Sequence, residues 1–395
     1  MKILFDLIAS QPSQGKFHGA GEYSWTVLER LLDKKKDQTI ECFYNPELWL
    51  NPTIKEKLKK EALTIHQVAN KKEIQHLIKT GNYDKFYSAL PYNYFDLDFS
   101  SVNLIFSFHG LRDLEMSKDK FELKYAQNSK DFLRFFLKIV FKKFYHKIKK
   151  KNFRKLLEIK AKKYDLILPT LHTKYALLGY LPFIFKKEIK FHVLYCPAKK
   201  RPHFNQEESL TLKKYFLKKA DFFLIISANR WIKNSYRALK ALDSIYSNFP
   251  EVTIKTVVLG IDNSKKFSSY VKNKDKFLFL NYLEEEELEV FYKNAFLFIY
   301  PTLNEGFGYP PLEAMKYGTP SICSAISSVP EVCQNSVIYF NPFSIEEIKN
   351  RILNFIFEQN EKEREKHQLL AKERHDSVFS KQEDDLNKIC NLILN

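Results

Sequence analysis

Short apolar runs alternate with amphipathic stretches along most of the chain. Residues 2–8 form the first such run, and Trp25, Leu28 and Leu31 follow it at helical spacing. Further runs of the same kind lie at residues 102–108, 166–168, 191–194, 222–226, 254–259, 277–279, 297–300 and 321–323. Because apolar strands that alternate with helices form parallel sheets, the pattern predicts an α/β protein with doubly wound sheets.

The length of the chain indicates more than one domain. A chain of 395 residues is too long for one compact core of ordinary size. We place the boundary near Asp221, ahead of the apolar run at 222–226. This predicts two Rossmann-like domains that face a central cleft, over residues 1–220 and 221–375, and a terminal helix over 376–395.

Composition excludes several classes of protein. Hydrophobic residues make up 45% of the chain and aromatic residues 15%, which excludes a disordered protein. The sequence has no apolar run of about 18 residues, so it predicts no membrane-spanning helix. Its first residues lack the apolar region of a signal peptide, so we expect a cytoplasmic protein. The five cysteines are scattered without a CxxC pair, which argues against a disulfide framework or a zinc knuckle.

Glycine is scarce, and most of it falls in two short windows. The chain has 10 glycines, of which six lie in residues 15–21 and 306–318. In the second window, a loop at residues 305–308 follows a predicted strand, and a helix is expected from Pro311, with Glu313 in its first turn. Glycine-loop amides next to a helix N-terminus favour an anion. Glu313 could either complement the helix dipole or accept hydrogen bonds from a ribose diol.

Residues 297–320 resemble the signature of the retaining GT-B glycosyltransferases of family 4. That signature contains two glutamates with seven residues between them, and Glu305 and Glu313 satisfy this spacing. The similarity extends over residues 277–342 and includes the segment 327–332. The resemblance implies a GT-B fold in which the terminal helix, over 376–395, packs back on the first domain. It also implies transfer of a sugar from a nucleotide-diphosphate donor to a hydroxyl of a glycan or lipid-linked acceptor. It further implies retention of the anomeric configuration, with no metal and no other cofactor.

The resemblance also implies roles for individual residues. Glu313 would bind the donor ribose, and Glu305 would face the transferred sugar as a catalytic residue. His109, at the end of a predicted strand, would be a second catalytic residue near the sugar, and His18 is a weaker candidate. Donor diphosphate binding is assigned to Arg230, Lys233, Gly19, Gly21, Gly306, Phe307 and Gly308. Arg230 departs from the family pattern, because it lies three residues before Lys233 instead of about five.

Two other motifs, a metal-binding DxD and a dinucleotide-binding GxGxxG, bear on the chemistry of the site. Asp96-Leu97-Asp98 matches the DxD motif that elsewhere holds a divalent metal and a nucleotide sugar. The polar loop around it and the GT-B signature favour an ordinary surface loop, so we predict no metal site. The N-terminal glycines lack the GxGxxG spacing of a dinucleotide-binding site.

Positive charge is concentrated in one segment. The chain has a formal net charge of +17, and residues 133–163 contain 13 Lys and Arg against one acid. Apolar residues recur in this segment at helical spacing, which indicates a basic amphipathic helix. Such a helix suits an anionic membrane surface or a lipid-pyrophosphate acceptor, or it packs on the core with a solvated lysine face. No nucleic-acid-binding motif accompanies it, so we expect no nucleic acid partner. The lysines assigned to this patch are Lys138, Lys142, Lys143, Lys147, Lys149, Lys150 and Lys151.

The resemblance implies an enzyme of surface polysaccharide assembly, and the basic segment suggests a peripheral position on the inner face of the cell membrane. Two alternatives remain. The chain could be a degenerate GT-B protein that binds a membrane surface, or a GT-B sugar-nucleotide hydrolase, epimerase or phosphorylase. The donor base, the sugar, the acceptor and the linkage are not specified by the sequence.

Overall fold

A computed structural model describes residues 1–11, 19–199 and 208–395. These residues form two compact units. Unit 1 contains the described residues of 1–114, 143–201 and 379–395, and unit 2 contains those of 115–142 and 202–378.

Unit 1 is built on a seven-stranded parallel sheet. Its strands are β1 (Lys2–Asp6), β2 (Thr39–Tyr44), β3 (Ile65–Gln67), β4 (Lys85–Ser88), β5 (Phe99–Ser107), β6 (Ala161–Leu168) and β7 (Ile189–Val193). Their order across the sheet is β3-β2-β1-β4-β5-β6-β7, so the direction of winding reverses between β1 and β4. In doubly wound sheets, ligands bind beside the carboxyl ends of the strands at this reversal.

Unit 2 is built on a six-stranded parallel sheet with the same winding. Its strands are β8 (Phe222–Ile225), β9 (Lys255–Leu259), β10 (Phe277–Leu280), β11 (Leu297–Tyr300), β12 (Ser321–Ser324) and β13 (Ile338–Phe340). The order is β10-β9-β8-β11-β12-β13, with the reversal between β8 and β11. The predicted fold class, two Rossmann-like doubly wound domains, is therefore confirmed in its sheets and their topology.

Helices connect most of these parallel strands, as parallel pairing requires. In chain order they are α1 (Gly19–Lys34), α2 (Pro52–Lys60), α3 (Lys71–Thr80), α4 (Arg112–Glu115), α5 (Ser129–Val140), α6 (Lys142–Leu157), α7 (Leu171–Tyr180), α8 (Glu208–Lys214), α9 (Ser235–Asn248), α10 (Ser264–Ser268), α11 (Glu285–Asn294), α12 (Tyr309–Lys316), α13 (Val329–Cys333), α14 (Ile345–Phe357) and α15 (Glu361–Leu394). Every residue of β8, β11 and β12 is buried, because helices cover both faces of a doubly wound sheet.

The observed units differ from the predicted domains in two places. Residues 115–142 belong to unit 2, although they precede the predicted boundary at Asp221. They are held there by a buried ion pair from Asp119 to Arg237 and by Tyr125, which lies in the core of unit 2. The second difference is only in the bounds of the terminal helix, because α15 is one continuous helix from Glu361 and its residues from 379 onward, instead of 376, belong to unit 1. Within unit 1, the amide of Tyr195 donates to Asp385 at 2.9 Å.

Candidate active site

Two loops of unit 2 leave the sheet at its reversal point, and each carries a predicted site residue. The loop after β8 contains Lys233, in a single 3₁₀ turn, and the loop after β11 contains Glu305. Asn234 follows Lys233 in the left-handed conformation, with φ of 57°. Its side-chain amide donates to the carbonyl oxygens of Pro301 at 2.9 Å and Pro342 at 2.8 Å. Asn234 therefore ties the first loop to the second and fixes the position of Lys233.

Lys233 and Glu305 form a nearly buried ion pair. The Nζ atom of Lys233 lies 2.6 Å from Oε1 of Glu305, and the side chains are 8% and 16% exposed. The hydroxyls of Tyr300 and Thr302 donate to the same oxygen at 2.6 and 2.8 Å. Burial alone would raise the pKa of Glu305, but the charge of Lys233 and these hydrogen bonds hold that pKa below its usual range. The pair is therefore ionised at neutral pH.

Tyr300 completes the pair as a hydrogen-bond donor. It is the last residue of β11 and is 1% exposed. Burial and the neighbouring charge of Glu305 raise the pKa of its hydroxyl well above the usual value. The hydroxyl keeps its proton, so it accepts from Lys233 at 2.8 Å while it donates to Glu305. Sequence analysis did not single out Tyr300 or Thr302, although both lie within five residues of Glu305.

Two serines hold the backbone of the glycine loop. The amide of Glu305 donates to Oγ of Ser327 at 2.9 Å. The hydroxyl of Ser328 donates to the carbonyl oxygens of Glu305 at 3.0 Å and Phe307 at 2.9 Å. The segment that contains both serines was noted in the sequence for its similarity alone. The structure shows that its side chains fix the loop at residues 305–307.

The helix after the glycine loop differs from the sequence prediction. It begins at Tyr309, two residues before the predicted start, and Gly308 precedes it with φ of 107° and ψ of 57°. Glu313 consequently lies in the second turn of the helix and is half-buried. Because the helix dipole acts within the first turn, Glu313 is not placed to complement it. Pro310 and Pro311 have no N–H group, which leaves this helix fewer amide donors than an ordinary N-terminus. The loop amides from Gly306 to Tyr309 remain as candidate donors to a diphosphate.

Arg230 is placed differently from Lys233. Its side chain is exposed and makes no hydrogen bond or ion pair with any residue that the structure describes. Its carbonyl oxygen accepts from the amide of Lys233 at 2.8 Å, which closes the turn. The guanidinium group is therefore not part of the Lys233–Glu305 pair.

A second buried ion pair of unit 2 was missed in the sequence. Arg237, in the first turn of α9, donates to both carboxylate oxygens of Asp119 at 2.9 and 3.0 Å. The Nη1 atom of Arg237 also donates to Oδ1 of Asn234 at 2.9 Å, and Trp231 donates to Asp119 at 3.0 Å. Burial opposes ionisation of Asp119, but Arg237 holds its pKa below the usual range. An arginine among the apolar residues of α9 could have indicated a buried ion pair, but the sequence does not show which acid pairs with it, because Asp119 lies 118 positions away.

The predicted residues of unit 1 lie at the start of α1 and after β5. Gly19 and Gly21 are in the first turn of α1, where the sequence suggested a loop. His109 follows β5, and its Nε2 atom donates to the carbonyl oxygen of Ala89 at 2.8 Å. Its ring also meets the ring of Tyr23 edge to face, with 4.8 Å between centroids. His18 lies outside the described residues.

The seven lysines of the predicted patch fall into two groups. Lys138 lies 2.6 Å from the buried carboxylate of Glu122, Lys149 lies 2.7 Å from Asp113, and Lys142 is only 6% exposed. These three are therefore held by the protein itself. The remaining four are exposed and make no ion pair with a described residue: Lys143, Lys147, Lys150 and Lys151.

Among the described residues, no three His, Cys, Asp or Glu side chains are grouped to hold a metal ion. Asp96 of the DxD motif instead forms an ion pair with Lys71 at 2.8 Å. No helix in the described ranges has the length and apolar character needed to cross a bilayer.

Solved structures identify the class of this fold. The chain resembles sucrose-phosphate synthase from Thermosynechococcus elongatus, with a TM-score of 0.65 and 13% identity over 99% of this chain and 98% of that chain. It also resembles Anabaena HepE in complex with UDP-glucose, with a TM-score of 0.61 and 14% identity over 100% of this chain and 98% of that chain. The chain has the GT-B glycosyltransferase fold.

Sequence comparison finds similarity to known glycosyltransferases over part of the chain. Residues 209–374 match the family described as glycosyl transferases group 1, and the chain carries that domain in unit 2. A segment of 69 residues is 45% identical to the O-antigen chain mannosyltransferase RfbU of Salmonella typhimurium. The match covers 18% of this chain and 20% of that protein, so the chain spans about a fifth of the length of this curated relative.

Proposed function

We propose that the protein transfers a sugar from a nucleotide-diphosphate donor to a hydroxyl of a glycan or lipid-linked acceptor. The observation that carries this proposal is the Lys233–Glu305 pair at the reversal point of the unit 2 sheet, inside the segment that matches glycosyl transferases group 1. HepE, which shares the fold, binds UDP-glucose, and RfbU is an O-antigen mannosyltransferase. HepE supports a nucleotide-sugar donor, and RfbU supports a role in surface polysaccharide assembly.

In the proposed reaction the anomeric configuration is retained. The bond between the anomeric carbon and the leaving phosphate breaks, and the acceptor oxygen bonds to that carbon on the same face. The acceptor's proton passes to the leaving phosphate, so the protein supplies no nucleophile. The Lys233 ammonium and the loop amides of Gly306, Phe307 and Gly308 would stabilise the negative charge of the leaving diphosphate.

Other residues receive proposed roles that rest on the family resemblance. Glu313 would bind the donor ribose, and Glu305 would orient Lys233 and face the sugar. Arg230, which is exposed, would add positive charge to the diphosphate site. In unit 1, we keep Gly19 and Gly21 as phosphate-binding candidates and His109 as a catalytic candidate. The buried positive charge of Lys233 supports a reaction that needs no metal, and chelation tests that part of the proposal.

A cytoplasmic location at the inner face of the membrane is proposed from the basic segment. The helix α5 has no buried residue, and five of its large apolar side chains are exposed. Lys143, Lys147, Lys150 and Lys151 follow in α6 with exposed side chains. Exposed apolar residues that are followed in the sequence by exposed lysines suit an anionic membrane surface.

The donor class can be tested by thermal unfolding with UDP, GDP, dTDP, CDP and ADP in turn, each with and without EDTA. A nucleotide at 100 times its dissociation constant stabilises the protein by about 2.7 kcal/mol. We expect one nucleotide to raise the unfolding temperature regardless of EDTA, and Glu313→Ala to abolish that rise. An equal rise in Glu313→Ala would contradict the ribose assignment, and a rise that EDTA removes would contradict the metal-free site.

The two alternatives to sugar transfer predict different results for nucleotide binding, vesicle binding and donor consumption. A degenerate membrane-binding protein would show no rise with any nucleotide while it still binds anionic vesicles. A sugar-nucleotide hydrolase or epimerase would consume the donor without an acceptor. A transferase should consume the donor at a rate that depends on added acceptor.

A further inference from the structure

A cavity of about 840 Å³ lies within unit 2, and its lining includes neither Lys233 nor Glu305. One wall comes from residues 120–132, and the opposite wall comes from α9 and the region of α10. The residues that matter for its chemistry are Lys120, Phe121, Lys124, Tyr236, Lys266 and Tyr270. We call it the 120–132 cavity.

The 120–132 cavity is positively charged. Lys120, Lys124 and Lys266 line it, and no Asp or Glu is among its described lining residues. The nearest acid that acts on Lys266 is Asp131, which forms an ion pair with Arg134 at 3.0 Å. Burial lowers the pKa of Lys266, and Asp131 opposes that effect only in part. The ammonium group of Lys266 donates to the carbonyl oxygen of Ala126, and a bound anion would add a counter-charge that this neutral acceptor does not supply.

The aromatic wall of the cavity is preformed. The ring centroids of Phe121 and Tyr236 lie 5.0 Å apart, and those of Tyr236 and Tyr270 lie 5.1 Å apart. The ammonium group of Lys124 lies over Tyr236 and Tyr270, with 5.8 and 5.9 Å to the centroids. The hydroxyl of Tyr270 donates to the carbonyl oxygen of Lys124 at 2.6 Å. These contacts hold the lysine against the rings, so little ordering would be needed when an anion binds.

The rim of the cavity continues onto an apolar surface. Phe132 lines the cavity and is 49% exposed. It is the first of the exposed apolar residues of α5, which are Phe132, Leu133, Phe136, Leu137 and Val140. Single exposed apolar residues are normal, but a contiguous apolar face indicates a binding surface. A cationic cavity that opens onto such a face has the chemistry of a site for an amphiphile.

We propose that the 120–132 cavity binds the phosphate headgroup of a lipid, whose apolar chain lies along the exposed face of α5. The three lysines complement a phosphate with two negative charges, and the face of α5 complements a hydrocarbon chain. The lipid is a membrane phospholipid whose headgroup is a phosphate monoester, as in phosphatidic acid. The inference rests on the lipid-surface part of the proposed function and not on sugar transfer.

The test uses soluble probes with the full chain, below the concentration at which the lipid forms micelles. Binding is measured by titration calorimetry for inorganic phosphate, for dihexanoyl-phosphatidic acid and for zwitterionic dihexanoyl-phosphatidylcholine. We expect phosphatidic acid to bind at least about tenfold more tightly than either of the other two probes. Equal affinity for inorganic phosphate and phosphatidic acid would overturn the lipid proposal in favour of a free phosphate ligand.

Variants separate the headgroup from the chain. Lys120→Ala combined with Lys124→Ala should weaken both phosphate and phosphatidic acid by about tenfold, whereas Phe132→Ser should weaken phosphatidic acid alone. Lys362→Ala and Leu369→Ser change exposed residues of α15 in the same way and should leave both affinities unchanged. Unchanged binding in the lysine variant would overturn the cavity assignment.

Two further arms distinguish this inference from the proposed function. The lysine variant should show the same unfolding-temperature rise with nucleoside diphosphate as the unaltered protein, because the cavity residues are not assigned to the donor. Binding to vesicles of phosphatidylglycerol tests the membrane contact separately, in the unaltered protein and in a variant with Lys143, Lys147, Lys150 and Lys151 changed to Ala. If the unaltered protein binds monomeric phosphatidic acid but not the vesicles, the membrane contact is refuted and the cavity assignment stands. If the nucleotide response is absent, sugar transfer is refuted without affecting the cavity.

Discussion

Replacing Glu305 by Gln should destabilise unit 2, because it leaves the ammonium group of Lys233 in a nearly buried site without its counter-charge. Breaking a buried ion pair from one side typically costs 3–5 kcal/mol, and the 16% exposure of Glu305 places it at the lower end. We therefore expect a loss of about 3 kcal/mol, equivalent to a fall of about 6 to 12 °C in the unfolding temperature. Gln keeps an oxygen that can accept from Tyr300 and Thr302, so the loss reports mainly the charge.

The assay is hydrogen exchange at the amides of β8 and β11, which reports the free energy of opening within unit 2. Glu346→Gln is the control, because Glu346 forms an exposed ion pair with Lys349 and should cost less than about 1 kcal/mol. Adding Lys233→Met to Glu305→Gln should recover most of the loss, since removing both charges of a buried pair is often nearly neutral.

The sign of the pH dependence provides a second check on Glu305. Its pKa lies below 4.5 in the folded state, so its contribution to stability is complete above about pH 4.5 and disappears as the pH falls through the folded-state pKa. The difference between the unaltered protein and Glu305→Gln should shrink over that acid range. A loss in Glu305→Gln no larger than that in Glu346→Gln would refute the reasoning.

Three further predictions concern other parts of the molecule. Burial raises the pKa of Asp6 from 3.8 to about 6, so the protonated carboxyl is favoured in the folded state. The unfolding free energy of the unaltered protein, measured in urea relative to Asp6→Asn, should therefore fall by about 3 kcal/mol as the pH rises from about 4 to about 7. A difference that does not change with pH would contradict this. Asp119→Ala leaves buried Arg237 without its carboxylate and should cost about 3 kcal/mol, with faster hydrogen exchange at residues 120–125; unchanged exchange there would show that other contacts hold the segment. Gly308→Ala should cost about 1 kcal/mol, because a φ of 107° is unfavourable for alanine even though the space around Gly308 is open. Gly179→Ala, in open space within α7, should instead stabilise the protein by about 0.5 kcal/mol. A similar effect of both changes on the unfolding temperature would contradict the backbone argument.

The sequence predicted most of the sheets because most of their strands are continuous apolar runs. Two strands that it missed, β2 and β4, carry Glu41 and Lys85, which interrupt the apolar pattern. Glu41 is tolerated because His66, Tyr83 and Lys2 all contact its carboxylate. Such partners come from other parts of the chain, so the local pattern alone does not reveal these strands.

The sequence predicts residues for the candidate site but not the contacts between them. Lys233 and Glu305 lie 72 positions apart and meet because β8 and β11 are neighbours at the reversal of the sheet. The sequence identified both residues by their motifs and gave no sign that they pair. The same limit explains why the attachment of residues 115–142 to unit 2 was missed, since it depends on Asp119 and Arg237. For α5, the amphipathic pattern was clear, and only the structure shows that its apolar face is exposed.

The proposed sugar transfer is tested most directly by measuring the release of nucleoside diphosphate. The substrates are a panel of nucleotide sugars that includes GDP-mannose and UDP-glucose, with a bacterial lipid extract as acceptor. The account predicts that the protein consumes one donor, that the extract accelerates the release, and that Lys233→Met slows it by about 100-fold while Glu346→Gln does not. If no donor is consumed, or if Lys233→Met consumes it at the unaltered rate, the proposed function of the Lys233–Glu305 site is contradicted.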